Sequence, residues 1–274
     1  MESTFVMVQM ESVEDPMKNL KKAAEWTEKA VKKFHPDFLV FPETVMAEFQ
    51  KDTSREERRA AAQPLDGSFV RGMQELSRTF GVWMVFGMQE TVEDPGDARS
   101  YNTTVMLNDR GSIVQVYRKT HMYDAFGYEE SAELKPGDRF FEPVSTPFGT
   151  IGLFVCYEVR FPEVARHQRA KGAEIILMPT AWVKGDMKSL HFRTLVTARA
   201  IENTVFLLAC DQYSRIRMGE SLAVDPMGVT LASAGEGEQL IPVYIDTDRI
   251  ASVRRKLPSY EDRRPELYRD LCDA

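Results

Sequence analysis

The chain has 274 residues, of which 43% are hydrophobic and 28% charged, an ordinary globular composition. Lys and Arg number 35 against 42 Asp and Glu, so the formal net charge is −7 at pH 7. This acidic balance argues against nonspecific binding to nucleic acid or to an anionic membrane as the main activity. The length allows one large domain or two small ones, and since no Pro/Gly/Ser-rich linker interrupts the chain we expect a single domain over residues 1–274.

The sequence predicts a cytoplasmic protein. No apolar run approaches the roughly 18 residues that a membrane helix needs, so no membrane partner is expected. The N-terminal segment has Glu2 and no Lys or Arg before its apolar run, unlike a secretory signal. The three cysteines, Cys156, Cys210 and Cys272, lie 54 and 62 positions apart, which fits neither a disulfide framework nor a zinc site. We therefore expect free thiols in a reducing compartment.

Short apolar segments alternate with amphipathic ones along the chain. Strands are predicted, in chain order, at 4–10, 37–41, 82–90, 101–108, 113–118, 151–155, 174–178, 205–210, 221–224, 229–233 and 240–245. Helical periodicity occurs at 16–34, 53–63, 68–80, 162–171, 187–203 and 250–257. Pro179 is expected to end the strand at 174–178, and Pro242 indicates a sheet edge. Strands that alternate with helices and also form hairpins predict an α/β domain with a mixed sheet.

Cys156 is the first candidate for chemistry. An apolar strand ends just before it and a helix that begins near Pro162 follows, so its thiol is expected at the open end of the sheet. A helix N-terminus nearby would favour a thiolate, and backbone N–H groups there can bind an oxyanion. The alternative is a buried, inert cysteine, which is how we interpret Cys210. His121 or His191 would be the better activating histidines, although no spacing favours either.

Two other ionisable residues follow predicted strands: Glu43 comes after DFLVF, and Lys119 after IVQVYR. Because functional sites in α/β sheets gather at the carboxyl ends of strands, we expect both to share one crevice with Cys156. Such a trio suits acyl transfer, in which Glu43 removes the thiol proton, Cys156 attacks a carbonyl carbon and Lys119 stabilises the charge on oxygen. Taken singly, Glu43 and Lys119 would be interpreted as exposed loop charges.

The segments around these residues resemble the nitrilase superfamily of carbon–nitrogen hydrolases. The motifs are PDFLVFPET, VYRKTH and GLFVCYEVRFPE, followed by GAEIILMPTAW, TARAIEN and GESLAVDPMG. The resemblance covers nearly the whole chain, with the three candidates 76 and 37 positions apart. It implies a four-layer αββα sandwich with two mixed β-sheets, catalytic Glu43, Lys119 and Cys156, and a homodimer or larger assembly. No metal or organic cofactor is implied, because the nucleophile and the acid–base groups are all protein side chains.

The same resemblance implies a second glutamate. Many family members place it six residues before a Pro-Gly pair, close to the catalytic lysine. Here Pro136 and Gly137 identify Glu130 as this supporting catalytic residue, which would keep Lys119 charged and oriented. The alternative is that Glu130 belongs to a solvated acidic loop.

Residues after the nucleophile indicate the branch. Cys-Tyr followed by an acid and Arg-Phe-Pro-Glu resembles the amidases, including ω-amidases and the Nit-type amidases of deaminated glutathione, so Tyr157 is a candidate substrate-binding residue. Nitrile-hydrolysing members tend to have Cys-Trp-Glu instead. Arg160 would bind a substrate carboxylate, as in carbamoylase relatives, or pair with Glu163. Trp182 lines the pocket or belongs to the core.

The sequence therefore predicts an enzyme that hydrolyses the C–N bond of a small, carboxylate-bearing amide to acid and ammonia through a cysteine thioester. The alternatives are the same chemistry on N-carbamoyl amino acids, a nitrilase, or a catalytically silent binding protein on this fold. The expected partner is a small-molecule amide, and neither nucleic acid nor membrane.

Overall fold

The computed structural model describes residues 2–49, 53–94 and 96–268, so Cys272 lies outside the described part. The strands are β1 (Glu2–Gln9), β2 (Phe38–Val40), β3 (Trp83–Thr91), β4 (Ser100–Leu107), β5 (Ile113–Arg118), β6 (Leu134–Lys135), β7 (Val144–Thr146), β8 (Gly149–Leu153), β9 (Ile175–Thr180), β10 (Phe206–Asp211), β11 (Leu222–Val224), β12 (Thr230–Ser233) and β13 (Gln239–Asp246). The α-helices are α1 (Pro16–Phe34), α2 (Arg55–Ala61), α3 (Ser68–Phe80), α4 (Pro162–Ala170), α5 (Lys188–Asn203) and α6 (Asp248–Lys256). Short 3₁₀-helices occur at Glu130–Ala132, Cys156–Arg160 and Pro265–Leu267.

The predicted helices form where local signals begin and end them. Asp15 caps α1, because its side chain accepts a hydrogen bond from the backbone N–H of Met17 at 2.9 Å, and Pro16 occupies the first turn. His35 ends this helix in the left-handed conformation, with φ of 48°. Gly81 ends α3 in the same way, with φ of 61°. No helix among the described residues is long and apolar enough to cross a membrane.

The strands form two mixed sheets. The first has the order β13-β1-β2-β3-β4-β5, with β6 paired to β4, and the second has the order β12-β11-β10-β9-β8-β7. In the first sheet β1, β2 and β3 are parallel, whereas β4 is antiparallel to both β3 and β5. In the second sheet β8, β9 and β10 are parallel. The carboxyl ends of β2, β3 and β5 therefore lie at one edge of the first sheet.

The two sheets pack face to face between layers of helices. Phe5 and Met7 of β1 enter the core between the sheets, while Val6 and Val8 pack on the side of α1 and α3. Strand β9 alternates in the same way between the inter-sheet core and the side of α4 and α5. This arrangement confirms the four-layer αββα sandwich. Because the inter-sheet core draws on both halves of the chain, we propose that the chain is one domain.

Pro179 does not end a strand, so this part of the prediction was wrong. Strand β9 continues through Pro179 to Thr180, still paired with β10. Its other neighbour, β8, pairs with β9 only as far as Leu177. Beyond that residue β9 has a strand on one side only, a position at which a missing N–H is tolerated. Pro242 lies in β13, an edge strand of the first sheet, as predicted.

The segment after β2 crosses closely over β3. The Phe41 N–H donates to the Val85 carbonyl at 2.9 Å, and the Met46 N–H donates to the Gly87 carbonyl at 3.2 Å. Gly87 lies directly against this segment, since a Cβ placed on it would be 2.6 Å from the Thr44 nitrogen. The same Cβ would be 3.0 Å from the Cα of Glu43. A side chain at position 87 would therefore push Glu43 away from the sheet.

We predict that Gly87→Ala lowers the free energy of unfolding by about 1–3 kcal/mol, because the added methyl group collides with backbone atoms. Gly235→Ala is the matched control, since a Cβ there meets nothing within 4 Å, and it should stay within about 0.5 kcal/mol of wild type. Urea denaturation followed by circular dichroism measures both values. Equal stability of the two variants would contradict the close approach.

Candidate active site

A pocket of about 370 Å³ opens at the carboxyl ends of the strands. β2 and β5 of the first sheet, and β8 and β9 of the second, each end just before a residue that lines it. All the residues predicted from the sequence line this pocket, namely Glu43, Lys119, Glu130, Cys156, Tyr157, Arg160 and Trp182. The structure thus brings together side chains that lie far apart in the chain.

Lys119 lies buried between two carboxylates. Its Nζ is 3.1 Å from Oε1 of Glu43, and 3.0 and 2.8 Å from the two oxygens of Glu130. Only 2% of Lys119 is exposed. Burial by itself lowers the pKa of a lysine, but the negative charges of Glu130 and Glu43 outweigh it and hold the pKa of Lys119 well above its ordinary value. Lys119 is therefore charged throughout the physiological pH range.

Glu43 is held by donors on both of its carboxylate oxygens. The Asn102 amide donates to Oε1 at 2.7 Å, and the backbone N–H of Ala181 donates to Oε2 at 2.9 Å. Burial raises the pKa of Glu43, but the Lys119 charge and hydrogen bonds from Asn102, Lys119 and Cys156 lower it further than burial raises it. The net result is a pKa below the ordinary glutamate value, so Glu43 is an ionised base at neutral pH.

Glu130 is the acid of its loop that reaches Lys119. Its carboxylate accepts a hydrogen bond from the backbone N–H of Tyr123 at 2.6 Å, and 16% of its side chain is exposed. Its neighbour Glu129 is exposed, and Glu133 pairs with Arg58 at 3.1 Å. The interpretation as a solvated acidic residue therefore suits Glu129 and does not suit Glu130.

Cys156 begins the 3₁₀-helix Cys156–Arg160 in the left-handed conformation, with φ of 48°. Residues other than glycine adopt this conformation rarely, and they do so mainly where the surrounding structure imposes it, often at functional sites. Enclosure of the thiol and the charge of Glu43 raise the pKa of Cys156, although the Lys119 ammonium acts in the opposite direction. The thiol is therefore protonated at neutral pH, unlike the thiolate that a helix N-terminus would favour, and it needs a base.

Glu158 joins the segment that carries Lys119 to the segment that carries Cys156. This glutamate is fully buried, and it accepts hydrogen bonds from the Tyr117 hydroxyl at 2.7 Å and from the Thr120 hydroxyl at 2.6 Å. It also accepts one from the backbone N–H of Val155 at 2.7 Å. The sequence pattern did not indicate this link, because Tyr117 and Thr120 are 41 and 38 residues away from Glu158 in the chain.

The histidines and the second cysteine lie elsewhere. His121 stacks on Phe161 with 4.2 Å between ring centroids, and its Nδ1 is 3.5 Å from Glu158. Among the described residues no histidine lines the pocket, so the structure does not support His121 or His191 as the partner of Cys156. Cys210 is buried and its thiol donates to the Val40 carbonyl at 3.0 Å, which confirms its place in the core.

The three candidate substrate-binding residues form one wall of the pocket. Trp182 belongs to the core and also lines the pocket. It is 4% exposed, and its indole N–H donates to the Lys188 carbonyl at 3.1 Å. The Arg160 guanidinium lies 5.0 Å from the Trp182 ring centroid, and it makes no ion pair with Glu163 or any other described residue. Tyr157 packs edge-on against Tyr123, with 5.1 Å between ring centroids.

Asn102 is the clearest site residue that the sequence analysis missed. Its amide nitrogen reaches both Glu43, at 2.7 Å, and Glu130, at 3.4 Å. The signal was present, because asparagine is uncommon in strands and this one lies inside β4. Within the described ranges, no group of three or more His, Cys, Asp or Glu is placed to hold a metal ion.

The family model described as "Carbon-nitrogen hydrolase" matches residues 6–255 of this chain. Deaminated glutathione amidase of Escherichia coli O157:H7 is 34% identical over 226 residues, covering 82% of this chain and 84% of that protein. Omega-amidase NIT3 of Saccharomyces cerevisiae is 32% identical over 271 residues, covering 94% of this chain and 91% of that protein. The crystal structure of a carbon–nitrogen hydrolase from Helicobacter pylori superposes with a TM-score of 0.90 at 27% identity, covering 99% of both chains. These matches confirm the resemblance to the nitrilase superfamily, and the chain belongs to the carbon–nitrogen hydrolase family.

Proposed function

We propose that this protein is an amidase that hydrolyses small, carboxylate-bearing amides to acid and ammonia through a thioester on Cys156. The observation that carries the proposal is one pocket that holds the Cys156 thiol, the buried Glu43 carboxylate and the Lys119 ammonium, whose Nζ lies 3.1 Å from that carboxylate. The names of two relatives, a deaminated glutathione amidase and an omega-amidase, support the substrate class.

Acylation begins when Glu43 takes the thiol proton and the sulfur of Cys156 attacks the amide carbon. The carbonyl oxygen gains the negative charge, which the Lys119 ammonium stabilises at short range in a site largely shielded from water. The protonated Glu43 then gives its proton to the nitrogen, the C–N bond breaks, and ammonia leaves. The acyl group remains on sulfur as a thioester.

Deacylation uses the same groups in a second cycle. Glu43, again ionised, removes a proton from a water molecule that attacks the thioester carbon, and the oxyanion forms once more beside Lys119. The C–S bond breaks, the acid departs, and the proton on Glu43 returns to the thiolate. Glu130 supports both half-reactions as a positioning residue, since its two oxygens fix the lysine ammonium at 2.8 and 3.0 Å.

We propose, in addition, a homodimer and a cytoplasmic location. Exposed apolar side chains of α5 and of the β11–β12 hairpin support the dimer: they include Ile201, Met227 and Val229. They form one surface, because a Cβ on Gly228 would lie 2.5 Å from the Ile201 side chain. A nucleophilic thiol that must stay reduced supports the location.

Mass spectrometry tests the thioester. With glutaric acid monoamide as substrate, Cys156→Ala should release no ammonia and carry no adduct. Glu43→Gln lacks the base for both half-reactions, so it should release no ammonia beyond the first turnover, and any acyl group that it takes up should stay on the peptide that contains Cys156.

Cys210→Ala is the matched control, because this thiol lies in the core and should be dispensable for turnover. An adduct on Cys210, or full activity of Cys156→Ala, would contradict the mechanism. Release of carbon dioxide with ammonia from N-carbamoyl amino acids, and not from simple amides, would instead select the carbamoyl reaction.

The pH dependence tests Glu43 as the base. Its pKa is lowered in the folded protein, so activity should be lost only as the pH falls below about 4.5, the ordinary glutamate value. With the neutral substrate pentanamide, we expect kcat/KM to stay constant between about pH 6 and pH 9, because Lys119 remains charged throughout. Assays at pH 7 after incubation at each pH separate unfolding from titration. An acid limb near pH 6.5 would indicate a histidine base instead.

Sedimentation equilibrium tests the dimer. We expect twice the chain mass for wild type and a shift towards the monomer for Val229→Asp, because a carboxylate would be buried unpaired in the apolar contact. Tyr244→Asp is the control, since Tyr244 is exposed on β13 of the other sheet. A monomeric wild type at micromolar concentration would overturn this assembly.

A further inference from the structure

Three cations that line the pocket, Arg55, Arg160 and Lys188, have no acidic partner among the described residues; Arg55 is exposed, whereas Lys188 is buried and Arg160 is partly buried. Every pocket carboxylate except the exposed Glu129 already holds another cation, the pairs being Glu43 and Glu130 with Lys119, Glu48 with Arg217, and Glu133 with Arg58. Among the described residues, neither Arg160 nor Lys188 makes an ion pair. Each cation next to Cys156 and Glu43 therefore has a carboxylate partner, whereas the cations on the adjacent wall have none among the described residues.

Arg160 and Lys188 share the same two aromatic rings. The Trp182 centroid is 5.0 Å from the Arg160 guanidinium carbon and 5.9 Å from Nζ of Lys188. The centroid of the exposed Phe126 ring is 5.9 Å from the Arg160 guanidinium carbon and 3.7 Å from Nζ of Lys188. The two positive groups therefore lie side by side on one wall, although they come from different segments of the chain.

Two adjacent cations without acidic partners destabilise the folded protein when no substrate is bound. Lys188 is only 6% exposed, and its ammonium donates to the neutral hydroxyl of Tyr123 at 2.7 Å. It is also the first residue of α5, where the helix dipole disfavours a positive charge. Nε and Nη2 of Arg160 are buried and have no acceptor among the described residues. Two adjacent cations with unused donors are the arrangement that a carboxylate would stabilise.

We propose that Lys188 and Arg160 together bind the carboxylate of the amide substrate, and that Lys188 is the specificity-determining residue that favours carboxylate-bearing amides over neutral ones. The inference rests on the proposed amidase function and names the residue that selects the substrates already proposed for it.

The spacing suits a short substrate. Cys156 and Arg160 are the two ends of one 3₁₀-helix, which rises about 2 Å per residue, so their Cα atoms are about 8 Å apart along its axis. The Arg160 side chain reaches back to the ring of Trp182, a residue that follows the strand next to that of Cys156. A carboxylate a few bonds from the scissile carbonyl therefore lies within reach of both cations.

The experiment compares glutaric acid monoamide with pentanamide, which has the same carbon chain without the carboxylate. Lys188→Met keeps the side chain length and removes the charge. We expect it to raise KM for the monoamide about 10- to 100-fold, the loss of one charge-assisted hydrogen bond, with kcat changed less than about threefold. KM for pentanamide should not change. Lys188→Arg should restore most of the affinity for the monoamide.

Lys184→Met is the matched control, because Lys184 lies four residues away in an exposed position and pairs with Glu236 at 3.9 Å. It should leave both substrates unaffected. A purely structural role of Lys188 would change both substrates equally, and that result would overturn the proposal. So would an unchanged KM for the monoamide in Lys188→Met.

The pH dependence of KM is a second readout that a structural role would not affect. Arg160, Tyr123 and Cys156 are the titratable groups that act on Lys188; burial and the charge of Arg160 lower its pKa, while Cys156 acts in the opposite direction. KM for the monoamide should therefore rise with pH below the ordinary lysine value of 10.5. In Lys188→Arg this rise should disappear, because arginine stays protonated.

Failure of the amidase proposal is distinguishable from failure of this one. If wild type releases no ammonia from either amide, calorimetric titration with glutarate still measures the carboxylate site. Binding by wild type and Lys184→Met that is lost in Lys188→Met would support the site without any turnover. Absence of glutarate binding to wild type would overturn it.

Discussion

The rest of the site depends on a lysine ammonium buried between two carboxylates. Lys119 follows β5, Glu43 follows β2, and Glu130 comes from the loop that returns to the sheet through Gly137. A buried charge is tolerated only when it is paired and hydrogen-bonded, and removing one partner of such a cluster costs about 3–5 kcal/mol. The cluster therefore holds three segments in one arrangement and at the same time defines the charge on each group. With Lys119 positive, Glu43 stays ionised despite its burial.

The nucleophile is positioned by a second buried acid. Glu158 accepts hydrogen bonds from the Lys119 side, through Tyr117 and Thr120, and from the Cys156 side, through Val155. Cys156 lies between Val155 and Glu158, and its backbone has a φ of 48°, a conformation that is strained for a residue other than glycine. The segments that carry Lys119 and Cys156 are therefore supported by Tyr117, Thr120 and Glu158, which do not line the pocket. A site of this kind is organised before the substrate arrives, which reduces the reorganisation that the reaction requires.

The pocket has two electrostatic halves. Around Cys156 each cation has a carboxylate partner, so charge that develops on a carbonyl oxygen meets an ammonium whose position is already determined. On the wall formed by Arg160, Lys188 and Trp182, positive groups lie on aromatic rings without acidic partners. Aromatic faces stabilise cations partially and leave their N–H donors available. The first half suits catalysis on any amide, and the second half distinguishes one amide from another.

The sequence by itself determined the family and the order of the helices and of eleven strands, but it did not predict the short strands β6 and β7. Apolar runs that end at Phe41, Arg118 and Val155 located three of the candidates, because strand ends and turn residues are local features of the chain. The caps of α1 and α3 are local in the same sense, and both helices have the predicted bounds.

Only the tertiary structure decided which charges meet. Glu130 and Glu129 are adjacent and chemically identical in the sequence, yet one is directed towards Lys119 and the other towards solvent. Asn102 and Lys188 contact the site through partners tens of residues away, and β9 tolerates Pro179 because β8 diverges. Such contacts depend on how the two sheets and their loops pack, and hydrophobic periodicity carries no information about which polar groups share a pocket.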